Sequence, residues 1–85
     1  NDDIAIGAIF ECQRLGIQVP KQIAVAGFHG HDVGQSITPQ LATVITPRLD
    51  IGRIAAQELL ARIDNIPAQC AIINLGYQIH LGESI

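Results

Sequence analysis

The ten residues Ile23-Ala24-Val25-Ala26-Gly27-Phe28-His29-Gly30-His31-Asp32 constrain the fold most tightly. Five small or apolar residues without a charge, ending on glycine, describe a buried strand of a parallel sheet. A polar, glycine-containing turn follows at once, at the strand's expected carboxyl end. Open α/β sheets bind their ligands at that edge. His29, His31 and Asp32 make this turn the one compact cluster of reactive side chains in the sequence.

The segments on either side read as the rest of an α/β unit. Residues 2–15 form a helical pattern in which Asp2 and Asp3 can cap the start and complement its positive end. Gly16 supplies the stop, with Pro20 beyond it. Ile4, Ala5, Ile6, Ala8, Ile9, Phe10 and Cys12 leave almost no polar face. Such a helix is covered on more than one side, by the sheet and by either a second subunit or a larger core. Residues 33–38 suit a short helical turn before Pro39, and Leu41 to Ile45 suit a second strand. Thr46 reads as the N-cap of another helix with Pro47 at its first position. In that helix Ile51, Ala55, Leu59 and Ile63 form a stripe opposite Asp50, Arg53, Gln57 and Asp64. Residues 71–81 alternate, with Leu75, Tyr77, Ile79 and Leu81 on one face, as in a half-buried strand pair or one strand bulged at Gly76. The fold class that follows is α/β, a parallel sheet flanked by helices.

Composition narrows the setting. A chain of 85 residues that is 48% hydrophobic and only 15% charged is too apolar for a small free-standing domain. It is expected to be a fragment, covered by a partner chain or by more of its own polypeptide. Five scattered Lys and Arg and a net charge of −3 provide no basic stripe, which excludes nucleic-acid binding by this segment. No apolar run exceeds four residues and no signal peptide is visible, so no membrane partner is expected. Cys12 and Cys70 read as buried reduced thiols, which suits a cytoplasmic location.

Catalysis finds little support. The His29-x-His31 pair is similar to the zinc-binding His-x-His of amidohydrolase-type hydrolases, but those sites need more imidazoles and carboxylates from later strands. Only His80 follows, so neither a metal nor a hydrolase using His29 and His31 is the favoured reading. Gly27, Gly30 and Gly34 lack the spacing of a phosphate-binding loop. Ser36, Ser84 and the cysteines have no base-and-orienter arrangement. No catalytic residue, cofactor or enzymatic turnover is expected. Small-molecule recognition remains, with Asn1, His29 and Arg48 as polar groups at element ends. Amide and imidazole suit a hydroxyl-rich ligand, and a guanidinium suits a carboxylate. The plainer alternatives are a helix cap for Asn1 and a solvated first-turn residue for Arg48.

The motifs taken together resemble a known family. Asn-Asp-Asp-Ile-Ala-Ile-Gly-Ala (residues 1–8), Gly16-Ile17-x-Val19-Pro20 and Ile23-Ala24-Val25-Ala26-Gly27-Phe28 look like the effector-binding core of the lactose/galactose-repressor family. So do Thr38-Pro39-x-Leu41-Ala42-Thr43-Val44 and Ile51-Gly52-Arg53-x-Ala55-Ala56-x-x-Leu59-Leu60. The Gly-Phe-His-Gly-His-Asp turn further resembles the gluconate-operon repressors. The resemblance implies a periplasmic-binding-protein-like core of two subdomains with effector in the cleft. Operator DNA would be read only through an N-terminal domain outside this chain. Residues 1–45 would then belong to the C-terminal subdomain, 46–68 would cross to the other, and 69–85 would return. Asn1 matches an effector-contacting asparagine. His29 stands where most members place a sugar-binding aspartate, and Arg48 near an aromatic that stacks on sugar. Exchanging a carboxylate for an imidazole and an aromatic for a cation favours a sugar acid, such as gluconate, over a neutral sugar. The first helix and residues 33–37 correspond to the homodimer surface, which points to Ile6, Ile9, Phe10 and Ile37. A periplasmic-type sugar-binding protein serving a transporter shares the fold and is the alternative.

Overall fold

The computed structural model describes residues 1–68 and 72–85. It divides into two compact units, one of residues Asn1–Thr46 with Tyr77–Ile85 and one of Pro47–Gly76. The first unit holds helix α1 (Asp2–Arg14), strand β1 (Ala26–His29), the short helix α2 (Asp32–Ser36), strand β2 (Ala42–Ile45) and strand β3 (Gln78–His80). The second holds helix α3 (Arg48–Ile63).

Helix α1 has sharp ends. Asn1 is its cap, the side-chain oxygen accepting from the Ile4 N–H at 3.1 Å. The expectation that Asp2 and Asp3 cap the helix is therefore corrected. At the far end Gly16 adopts φ +72, and the Ile17 N–H reaches back to the Cys12 carbonyl at 2.8 Å, closing the helix in a Schellman arrangement. Its inward side contributes Ala5, Ile6 and Ile9 to a core completed by Leu41, with Val19, Val25 and Ile37 packed around it.

The sheet order is β1-β2-β3. Strands β1 and β2 run parallel, joined through α2, and pair Ala26 with Ala42 through His29 with Ile45. Strand β3 is antiparallel to β2 and sets His80 opposite Thr43 and Ile79 opposite Val44. The first strand begins three residues later than its apolar run suggests. The Gln22 and Ile23 N–H groups turn back to the Gln18 carbonyl, so the start of the run belongs to a turn. The Val25 N–H then bonds to the Ser84 carbonyl at 2.8 Å. Ser84 is fully buried, and its hydroxyl donates to the Val25 carbonyl at 2.6 Å and accepts from the Ala42 N–H at 2.8 Å. One serine thus ties the entry of β1 to that of β2.

Residues 72–77 are not strand, and among the described residues of 71–81 only Gln78–His80 pairs into the sheet. The expected strand pair is absent there, and Gly76 sits in a turn, its N–H bonded to the Asn74 side chain at 2.8 Å. Helix α3 starts one residue later than Pro47, with no side-chain cap from Thr46. No α3 residue is buried within the described structure, although its apolar stripe is amphipathic in sequence. Cys12 is a free, half-buried thiol; Cys70 lies outside the described residues. No helix among them is long and apolar enough to cross a membrane.

Candidate functional site

The carboxyl end of β1 carries the predicted histidine turn. His29 closes the strand at φ +108, and Gly30 follows at φ +74. Two successive positive φ values swing the chain out of the sheet. Glycine takes such a conformation freely, whereas a histidine there is strained. A side chain on residue 30 would stand 2.6 Å from Ile45 Cγ1, so glycine is also required for space.

The two imidazole rings lie nearly parallel, 16° apart with centroids at 6.2 Å, and Phe28 meets His29 edge-on at 4.9 Å. His29 Nδ1 lies 3.5 Å from the Thr46 hydroxyl, at the outer limit of a hydrogen bond. His31 Nδ1 lies 3.2 Å from Asp3 Oδ1 at the surface.

Beneath the turn is a group absent from the predicted site. Asp2 is 0% exposed. Its Oδ2 accepts from the His31 backbone N–H at 2.6 Å and its Oδ1 from the Thr43 hydroxyl at 2.7 Å. Burial alone would push this carboxyl up. The bonds from Thr43 and His31, the nearby His31 imidazole and the Gly30 N–H outweigh burial and hold it below the ordinary 3.8. The carboxylate reaches Thr43 only by crossing β1 at Gly27, where a Cβ would collide with Asp2 Oδ1 and stand 2.9 Å from Leu41 Cδ2. Nothing local in the sequence distinguishes Asp2 from Asp3. The signal is spatial, a glycine under an acid from another element.

Asn1 and His29 both belong to the first unit, and the residue beside Asn1 holds the turn that contains His29. Asn1 Oδ1 accepts from the Ile4 N–H of its own helix, and the amide NH2 is the donor end of the side chain. Arg48 opens α3 in the second unit. Of the four residues assigned to the dimer surface, Ile6 and Ile9 are 7% and 0% exposed and belong to the core under α1, because they face the sheet. Ile37 is half-buried against the same core, and Phe10 is 49% exposed. In the second unit, α3 and residues 72–76 line a cavity of about 650 Å³ that includes Glu58 and Arg62 but none of the predicted contact residues. Among the described residues no group of three His, Cys, Asp or Glu gathers as metal ligands do.

Comparison with known proteins agrees with this architecture. All of residues 1–85 match the family model described as a periplasmic binding protein-like domain. The chain is 53% identical over its full 85 residues to the HTH-type transcriptional regulator GntR of Escherichia coli and 51% identical to IdnR of the same organism. It spans 26% of the length of each. Among solved structures, the transcription regulator GntR from Chromobacterium violaceum superposes with a TM-score of 0.84 at 45% identity, over 99% of this chain and 31% of that one. A LacI family regulator from Enterococcus faecium with bound ribose gives 0.84 at 25% identity, over 99% and 32%. The chain belongs to the periplasmic binding protein-like domain family, and within it is similar to transcriptional regulators of the lactose/galactose-repressor type.

Proposed function

We propose that this chain is the sugar-acid-sensing part of a cytoplasmic bacterial transcriptional repressor, with gluconate as the effector. The observation that carries the reading is the paired imidazole turn at the carboxyl end of parallel strand β1, fastened to the helix that Asn1 caps. Asn1 and His29 would bind hydroxyl groups and Arg48 the carboxylate, a charge-assisted bond worth about 1.5–3 kcal/mol. Effector and operator sites are distinct, so effector acts by preferring one arrangement of the intact protein. The names of the relatives favour a regulator over a transporter's binding protein.

The test is operator release by the full-length protein during a gluconate titration. Release is expected for the wild type. Arg48→Ala should need roughly ten- to a hundredfold more gluconate while keeping its operator affinity. Tight operator binding that no sugar acid relieves would remove the effector assignment.

The same reading includes a homodimer whose contact uses the outward side of α1, where Phe10 and Ile4 are exposed. Phe10→Arg should shift the full-length protein toward monomer in sedimentation. An unchanged dimer would place the contact elsewhere.

A further inference from the structure

A buried carboxylate is costly, and this one does no capping, because Asn1 already serves α1. Its partners explain its presence. Beyond His29 the chain leaves the sheet, so the Gly30 and His31 N–H groups have no strand to bond. Successive N–H groups in such a turn form a concave donor site for an anion. Asp2 supplies that anion from inside, its Oδ2 accepting from the His31 N–H at 2.6 Å beside the Gly30 N–H, while the Thr43 hydroxyl donates to the other oxygen. The surface contact of Asp3 with the His31 ring is too exposed to hold the turn alone.

We propose that Asp2 is the positioning residue of the ligand edge, fixing the His29–His31 turn against α1 so that the residue 29 imidazole and the neighbouring Asn1 face one ligand. The inference rests on the proposed function above and deepens it. Asp2 does not touch the ligand. It holds the backbone from which the contact residues project, and Gly27 provides its passage.

The experiment compares gluconate affinity, by calorimetry, with melting temperature in three variants of the full-length protein. Asp2→Ala deletes the acceptor. Gly27→Ala keeps the carboxylate but displaces it from the turn. Thr43→Val removes a partner on the side away from the turn. Asp2→Ala and Gly27→Ala are expected to weaken gluconate at least tenfold. Thr43→Val should bind within twofold of wild type although its melting temperature falls. If Asp2→Ala does not fold, Gly27→Ala against Thr43→Val makes the same comparison. Affinity losses that simply follow melting temperature across the variants would overturn the positioning role. So would unchanged affinity in Asp2→Ala or Gly27→Ala. A wild-type protein that binds no gluconate would overturn the effector reading and this inference with it, an outcome distinct from tight binding by every variant.

Discussion

His29, in its proposed role, concentrates the conflict between stability and recognition. A non-glycine residue at φ +108 costs about 1–3 kcal/mol, part of which glycine would return as chain entropy in the unfolded state. His29→Gly should therefore raise the stability of the ligand-free full-length protein by about 1 kcal/mol and abolish the stabilisation that gluconate confers. Thermal melts with and without gluconate check both halves. A ligand-free protein less stable than wild type would mean that ring packing against Phe28 outweighs the strain. Asp2 has the opposite dependence on its surroundings. Its carboxyl is held below the ordinary 3.8, so the folded state takes up a proton less readily than the unfolded one. Its contribution is complete above that value and is lost as pH falls through the lower folded value. Acid titration of the full-length protein should show a loss of stability below about pH 4 that Asp2→Asn lacks.

At the scale of elements, Ser84 shows how much of the sheet depends on one side chain. Ser84→Ala would leave the Ala42 N–H and the Val25 carbonyl without the hydroxyl they share, at a cost of about 1–3 kcal/mol. The Ala42 amide should exchange with solvent roughly ten- to a hundredfold faster, and unchanged protection would show that water replaces the hydroxyl there. The same serine explains a limit of sequence reasoning. The stop of helix α1 is legible because it is local, Gly16 acting within one turn of the residues it affects, whereas the cap falls on Asn1 and not on Asp2 or Asp3. The start of β1 is not legible, since Val25 takes its partner from position 84 and the residues before it turn back to Gln18. The stripe of α3 identifies a helix but not what covers it, and every α3 residue remains unburied in the described structure. The apolar positions of α1 likewise declare a helix covered on two sides without saying which residues face which. Ile6 and Ile9 turn to the sheet, and Phe10 outward. The role of Asp2 is hidden for the same reason, because the passage over Gly27 exists only once helix and strand have packed.

For the molecule as a whole, kinship and geometry support different parts of the account. Family membership follows from a match across the full chain. The proposed contacts of Asn1 and His29 rest on the first unit, where an amide-capped helix and a strained strand end are joined by a buried acid. The measurement that tests this most directly is the response of the His29 side chain to ligand in the full-length protein, followed by the ring resonances of its imidazole during a gluconate titration. The account predicts a saturable shift at His29 with the midpoint of calorimetric binding, while His80, within β3, stays unmoved. Saturable gluconate binding that leaves the His29 ring resonances where they were would contradict it.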